Sequence, residues 1–514
     1  MSGSLLSAET GRELWHLRVA ATPDAPFLVG GGRTRTFAEA DDEMRRLAAG
    51  FAEAGIGLGT RVLAGLPNAP ETVLVHAALR ELGAVIVPLL TGLTFRELEF
   101  QIVHSEATAL IVDDAAFPQL EQRPALDTVL TADDLAAMRE RDPLPVAPLE
   151  GLHARSPWAI LYTSGSSGTP KGVVLPAGCL VTAGVGYAER FGIGPDDNYF
   201  LPLTMAHAVG ALTSQGVALV TGCRLTVVDR FSPSRFWRDV RESGATVAIL
   251  FPGQLNLLLE LTDPEPGGTP FRLAITHAWN EPFRRKFGVE LGLCWGMTET
   301  GAHSTGTPVG YHDERGEGYV GPAMRGVEIA ILSPDGERLG PGETGQIALR
   351  HPYVMLEYLK EPAQTAQTLV DGWILSGDLG TLDADGGLYF GGRAKNMIKR
   401  SGENVSPLEI EEALCAHPAV AEALVFGVPD PIRSEEIAAT VCVRRGAALD
   451  PETLTEFLSK RLARWKLPRY IELREETLPR LANDKIDRVS VVGALDPAGC
   501  WDRERAYPKQ GARA

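Results

Sequence analysis

The sequence predicts an α/β protein of several subdomains: a large N-terminal part of layered α/β units that ends in a small β-subdomain, followed by a small α+β module. Three observations point there. Up to Val112, short apolar strands alternate with amphipathic helical stretches, the pattern of parallel sheet covered on both faces. From Tyr319 to Phe390 the rhythm changes to short strands and turns such as Ser333-Pro-Asp-Gly336 and Asp383-Ala-Asp-Gly386, which reads as a β-subdomain. Near Gly391 the organisation changes again, and the mixed helix-and-strand module that follows is about 120 residues long, the size of one domain.

Phe27-Leu-Val-Gly30 is a strand, and Thr36-Phe-Ala-Glu39 is a capping box opening a helix with an apolar face at Met44, Leu47, Ala48 and Phe51 that ends at Gly55. Arg61–Gly65 is a strand, Glu71–Leu82 a helix, Ala84–Pro88 a buried strand, Thr94–Glu97 the cap of another helix, and Ala109–Val112 a strand. The stretch from about Phe117 to Pro157 is richer in proline and charge, and surface connections are expected there. A helix is expected from Ala177 into Phe191. Tyr199 to Cys223 holds no charged side chain and is either buried core or the wall of an apolar pocket; its one histidine is His207. In the last module, Ser406-Pro-Leu-Glu409 combines an N-cap, a proline at the first helical position and a capping-box glutamate. Strands at Ala421–Val428 and Glu436–Val443, a helix at Pro451–Leu462 and a strand at Tyr470–Leu473 complete it.

Composition bounds the function. The 514 residues are 44% hydrophobic and 22% charged, giving ample core, and the length suits either about three domains or one large composite domain. A net charge of -17 argues against a general binder of nucleic acid or anionic membrane. Six scattered cysteines without a C-x-x-C pair indicate neither a disulfide framework nor a zinc site, so a reducing, cytoplasmic setting is expected. The first residues lack a basic region followed by an apolar core, and no signal peptide is expected. The most apolar segment, Val73–Leu90, carries Arg80 and Glu81 and is broken by Gly83; it reads as helix then strand, not as a membrane span.

One stretch carries chemistry. After the apolar run Trp158–Leu161, Tyr162-Thr-Ser-Gly-Ser-Ser-Gly-Thr-Pro-Lys-Gly172 interleaves glycines with the hydroxyls of Thr163, Ser164, Ser166, Ser167 and Thr169, and adds Lys171. Gly165 and Gly168 allow close backbone approach, and the donors suit a polyphosphate. Read from Gly165 as a P-loop, the run fails, because Pro170 stands where that motif has Gly and Gly172 where it has Ser or Thr. A flexible linker is the bland alternative, and the flanking apolar strands oppose it. Leu291-Gly-Leu-Cys-Trp-Gly-Met-Thr-Glu-Thr-Gly301 repeats the pattern of apolar strand followed by Gly, Thr and Glu.

Five stretches stand in a fixed order: YTSGSSGTPKG, WGMTETG, SGDLG, GGRAKNMIKRSGENVSPLEIEEAL and LPRLANDKIDR. In this the chain resembles the adenylate-forming superfamily of acyl- and aryl-CoA synthetases, firefly luciferase and peptide-synthetase adenylation domains, from about Leu14 to Val491. The stretch His277-Ala-Trp-Asn-Glu-Pro282, together with NMIKRSGENVS, is most similar to the carnitine/crotonobetaine-CoA ligase branch. The resemblance implies an AMP-binding domain over residues 1–394 and a mobile C-terminal lid over 395–514. A carboxylate would attack the ATP α-phosphate, releasing pyrophosphate, and the thiol of coenzyme A would then displace AMP from the acyl-adenylate.

The same resemblance assigns roles. Thr163, Ser164, Gly165, Ser166, Ser167, Gly168, Thr169 and Lys171 would hold the β- and γ-phosphates. Thr298 would donate to phosphate, and Glu299 would ligate the Mg²⁺ that accompanies ATP. Trp295 would stack on adenine, and Gly296 and Met297 beside it would belong to the same cofactor-binding site. Asp378 and Arg393 would bind the ribose hydroxyls. Lys485 would bridge carboxylate and phosphate during adenylation, Lys395 would be the hinge, Gly402 would line the pantetheine channel, and His207 would gate the acyl pocket. The basic cluster Lys460, Arg461, Arg464, Lys466 and Arg469 either meets CoA phosphates or is a solvated helix face.

Two departures stand out. Asp484 precedes Lys485 where the family has Gly, and the turn at His277–Pro282 replaces a Gly-Gly-Ala-Pro-like sequence. The expected activity is that of an AMP-forming acyl-CoA synthetase acting on an apolar acid, bulky ones included. The partners are the acid, ATP and CoA, without nucleic acid or membrane insertion. Alternatives are an adenylating enzyme that passes acyl-AMP to a partner acyltransferase, or a stand-alone domain that loads a carrier protein. Amino-acid activation is disfavoured because Tyr199–Cys223 holds no acid to meet an amino group.

Overall fold

Four β-sheets organise the chain, three in the large N-terminal part and one in the C-terminal module. The computed structural model describes residues 5–91, 93, 95–122, 125–163, 170–264, 268–393, 396–400, 403–430, 433–462, 464–481 and 485–507. The first sheet has the order Glu290–Leu293, Leu273–Thr276, Val247–Ile249, Asn198–Leu201, Arg224–Val227, Pro26–Gly30, Arg33–Thr36, and all but the last pairing are parallel. The second runs Glu357–Tyr358, Lys171–Pro176, Pro157–Thr163, Val85–Pro88, Arg61–Gly65, Ala109–Val112, Thr128–Thr131, parallel from Pro157–Thr163 onward. The third is the antiparallel β-subdomain, from Tyr319–Pro322 to Trp373–Leu382 and Gly387–Arg393.

Helices between the first two sheets supply a shared core. Helix Phe37–Glu53 begins with the expected capping box, Thr36 accepting from the Glu39 amide and the Glu39 carboxylate accepting from that of Thr36, and it buries Met44, Leu47, Ala48 and Phe51. Helix Pro70–Glu81 is buried at every position except Glu71. Its Arg80 is accommodated by a 2.9 Å bond to Gln215 Oε1 and by the Trp158 ring, 5.4 Å from the guanidinium. Helices Cys179–Arg190 and Gln215–Thr221 cross where glycine meets glycine: a Cβ on Gly184 would stand 2.4 Å from Gly216 O. From Ala208 to Thr221 every residue is buried, so this part of the uncharged segment is core.

Two expectations need correction. The stretch from Phe117 to Pro157 is not all surface connection: Thr128–Thr131 is the edge strand of the second sheet, and helix Ala132–Met138 follows with Thr131 and Asp134 as its capping box. Leu130, Leu135 and Met138 are buried. Charge around these short apolar runs diluted their pattern. In the last module Ser406 caps helix Pro407–Cys415, but Glu409 does not complete a box; its carboxylate accepts from Lys466 Nζ at 2.5 and 2.7 Å instead.

The C-terminal module has its own sheet, in which Val420–Asp430 and Ser434–Val443 pair along their length and Tyr470–Arg474 joins in parallel. It also has its own core, including Ile398, Ile410, Leu414, Val425, Ile437, Leu454 and Ile471. Glu436, fully buried, is bonded by Arg400 and Arg433. The module meets the large domain through the Arg444–Glu260 ion pair at 2.5 Å and the bond from Ser406 Oγ to Gly391 O at 2.7 Å. Among the described residues no helix is long and apolar enough to cross a membrane.

Candidate active site

Four neighbouring parallel strands of the first sheet end on one side of the molecule, and the residues just beyond their C-terminal ends form the site. Strand Asn198–Leu201 leads to His207, Val247–Ile249 to Phe251, Leu273–Thr276 to His277, and Glu290–Leu293 to Trp295–Glu299. Open α/β sheets bind ligands in this position, where the carboxyl ends of the strands leave a crevice.

The hairpin of the second sheet comes alongside. Strands Pro157–Thr163 and Lys171–Pro176 pair with Thr163 opposite Lys171, so the Gly/Ser loop closes their ends. Ser164, Gly165, Ser166, Ser167, Gly168 and Thr169 lie outside the described residues. Lys171 Nζ stands 5.4 Å from the centre of the Tyr358 ring, and the Tyr358 hydroxyl donates to Glu299 Oε1 at 2.6 Å. The base of the loop and the buried Glu299 are thus one continuous cluster. Thr298, Gly296 and Met297 are part-exposed beside it.

Asp378, 3% exposed, lies opposite Arg393 in the β-subdomain register, which places these two family positions side by side; the Arg393 side chain is outside the description. Trp295 Nε1 donates to Asp378 Oδ2 at 3.0 Å. Because Trp295 is only 6% exposed, it offers little ring face to a stacking base, and what it does in this structure is hold the Asp378 carboxylate.

Three rings form a row along the crevice. His207 meets Phe251 edge-on at 5.3 Å between ring centres, and Phe251 stacks with His277 at 5.7 Å. The Val209 amide donates to His207 Nδ1 at 3.4 Å, and His277 Nδ1 lies 3.0 Å from the Cys294 carbonyl. Burial, helped by the charge of Lys485 and by His277, pushes the His207 imidazolium down to about 3, so this ring is neutral at ordinary pH. His277 differs. It is solvent-exposed, yet surrounded densely enough for burial to oppose its imidazolium; the Cys294 carbonyl and thiol more than offset this, and its pKa is raised.

Lys485 comes from the C-terminal module and is exposed. The bridge between Arg480 and Ile486 and the bond from the Leu481 amide to Lys485 O hold it beside the incoming chain. Its ammonium acts on both His207 and His277, and Arg480 of the same segment reaches Gly253, where a Cβ would stand 3.5 Å from Nη1. Asp484, Lys395 and Gly402 are outside the described residues. Most of the basic cluster is occupied internally: Lys466 binds Glu409, Arg469 binds Asp430 and Asp502, Lys460 binds Glu456, and Arg461 lies over Phe457.

Sequence reasoning missed Phe251 and Tyr358 as site residues and treated His277 only as part of an altered turn. Phe251-Pro252 had a usable signal, since a strand that ends in a turn with proline opening a helix is where an α/β sheet exposes its crevice. Tyr358 had none, because it sits in a two-residue strand far along the chain.

A hairpin tied through Tyr358 to one buried carboxylate, a second buried carboxylate held by an indole, and a lysine carried by a separate module suit joining an acid to an acceptor at the expense of a nucleotide. The class defined is that of AMP-forming ligases. A family model described as AMP-binding enzyme matches residues 15–359, and one described as AMP-binding enzyme C-terminal domain matches residues 409–485. The chain is 32% identical over 498 residues to the sulfoacetate–CoA ligase of Cupriavidus necator, covering 93% of this chain and 96% of that protein. It is 31% identical over 479 residues to a crotonobetaine/carnitine–CoA ligase of Escherichia coli, covering 88% and 92%. Among solved structures, o-succinylbenzoate CoA synthetase from Bacillus subtilis with its acyl-adenylate superposes with a TM-score of 0.81 at 28% identity, covering 93% of this chain and 97% of that one. The chain belongs to the AMP-binding enzyme family and is an acid–thiol ligase, an ATP-dependent acyl-CoA synthetase.

Proposed function

We propose that the arrangement described here is the one that carries out adenylation, with Lys485 binding both the acid's carboxylate and the ATP α-phosphate. The carboxylate oxygen attacks the α-phosphorus, pyrophosphate leaves, and the acyl-adenylate stays in the crevice until the thiol of CoA attacks its carbonyl carbon and AMP departs. The observation that carries this reading is that the segment bearing Lys485 sits against the large domain: Arg480, bridged to Ile486, reaches Gly253 beside Phe251, where a Cβ would stand 3.5 Å from Nη1, and the Lys485 charge weighs on both His207 and His277.

The remaining roles follow from position. The hairpin from Thr163 to Lys171 holds the β- and γ-phosphates, and Thr298 donates to phosphate. Glu299 with the nucleotide's own oxygens suits Mg²⁺, which is usually held by one or two carboxylates plus substrate phosphates. Among the described residues no group of three or more acidic, histidine or cysteine side chains forms a complete protein cage for it. The metal neutralises phosphate charge when bound; the chain's contribution is a carboxylate oriented by Tyr358. Asp378, fixed by Trp295, and Arg393 take the ribose. The domains divide at 394/395, a division supported by the separate core of the C-terminal module; Lys395 is the hinge and Gly402 lines the pantetheine path after rotation. All six cysteines are free, in keeping with a cytoplasmic setting.

The test separates the half-reactions. Removing one preorganised charge contact costs about 3–4 kcal/mol, or 10²–10³ in rate, so Lys485→Ala should lose ATP–pyrophosphate exchange by that factor. Consumption of pre-made acyl-adenylate by CoA should persist. Equal loss in both half-reactions would overturn the assignment.

A further inference from the structure

We infer that the ring row His207–Phe251–His277 is the floor of the acyl site and restricts this enzyme to short carboxylic acids. The inference rests on the placement of the reacting carboxylate at Lys485 proposed above. An acyl chain whose carboxylate meets Lys485 must extend into space beside that lysine, and the groups there are His207 and His277, with Phe251 packed between them. On the crevice side of the row the protein is accessible: Thr204, Ala206, His207, Phe251 and Gly253 are part-exposed and His277 is exposed.

Behind the row accessibility ends. Every residue from Ala208 to Thr221 is buried, Tyr199 is 0% exposed and Cys294 1%. A side chain that lined a chain-sized void would show surface to it. Helices Cys179–Arg190 and Gln215–Thr221, the second of which continues the buried run that follows His207, pack backbone to backbone at Gly184 and Gly216. Behind Cys294, the Tyr187 hydroxyl donates to its sulfur at 3.7 Å, which closes that side with bonded side chains. A long or bulky hydrocarbon therefore cannot pass behind the row unless Phe251 and His277 move. Close-packed interiors do not yield such space cheaply.

The experiment is a chain-length profile on the full-length protein, with ATP, CoA and straight-chain acids from acetate to decanoate, read as kcat/KM for AMP release. The wild type should peak among the shortest acids and fall about tenfold or more for each methylene beyond the optimum, as hydrophobic pockets that are overfilled do. His277→Gly and Phe251→Ala should each move the optimum to longer acids while the KM for ATP stays unchanged. A general loss of structure would lower all acids together and leave the ratios alone, so the shift in ratio is the diagnostic. Decanoate turning over as well as the short acids, or both variants keeping the wild-type profile, would overturn the inference. The adenylation reading fails on separate grounds, namely Lys485→Ala retaining pyrophosphate exchange.

Discussion

At the scale of single residues, the contact between Trp295 and Asp378 has the most direct consequence. A neutral N–H bonded to a buried carboxylate contributes about 1.5–3 kcal/mol, and here it fixes the group assigned to the ribose. Trp295→Phe keeps the ring and removes the donor. The expected outcome is a rise of about 10-fold or more in the KM for ATP, with kcat changed far less, in steady-state assays at saturating acid and CoA. An unchanged KM would show that Asp378 is held without the indole. The residues of this site that were legible in the sequence, Thr163, Lys171, Trp295, Glu299, Asp378 and Lys485, each lie in a local run of distinctive composition. Phe251, His277 and Tyr358 do not. They are brought together by the order of strands in two sheets, which no short window of sequence encodes.

At the scale of elements, helix Pro70–Glu81 shows what it takes to bury charge-bearing residues inside a nucleotide-binding domain. His76 is 1% exposed, and burial, helped by the charge of Arg80, holds its pKa down at about 3 from an ordinary 6.5. The unfolded chain therefore binds a proton below 6.5 that the folded chain refuses until about 3. Stability is fully present above 6.5 and falls as the pH drops from there towards 3, by up to about 1.4 kcal/mol per pH unit for this group. Denaturant titrations between pH 7 and pH 5 should show that loss, and His76→Gln should reduce its slope. A slope unaffected by the substitution would remove His76 as a cause. The capping box that opens helix Phe37–Glu53 was readable from Thr36 and Glu39 alone. Helix Ala132–Met138 carried the same signature in Thr131 and Asp134 but was too short to show a period. The Glu409 box was readable and wrong, because a lysine distant in sequence took the carboxylate.

At the scale of the whole molecule, the contacts between the C-terminal module and the large domain bear on the proposed half-reactions. The Arg444–Glu260 pair joins them with side chains 24% and 28% exposed, so it is worth at most about 1 kcal/mol. Arg444→Ala should accordingly slow pyrophosphate exchange by no more than about fivefold while leaving thioester formation from pre-made acyl-adenylate at or above the wild-type rate. A variant that slowed both steps alike would exclude this pair as a latch specific to one pose. That a separate C-terminal module exists was legible in its own strand and helix pattern; where it docks was not, since docking depends on surfaces that only the folded domains possess.

The module's self-contained core has a further consequence. A body with its own core, attached by modest contacts, is kept near its target by the peptide link around residue 394, which sets an effective concentration in the range of about millimolar for a short connection. Lys485 then visits the crevice often without having to bind it tightly. For the role proposed for Lys485, frequent return serves better than strong adhesion.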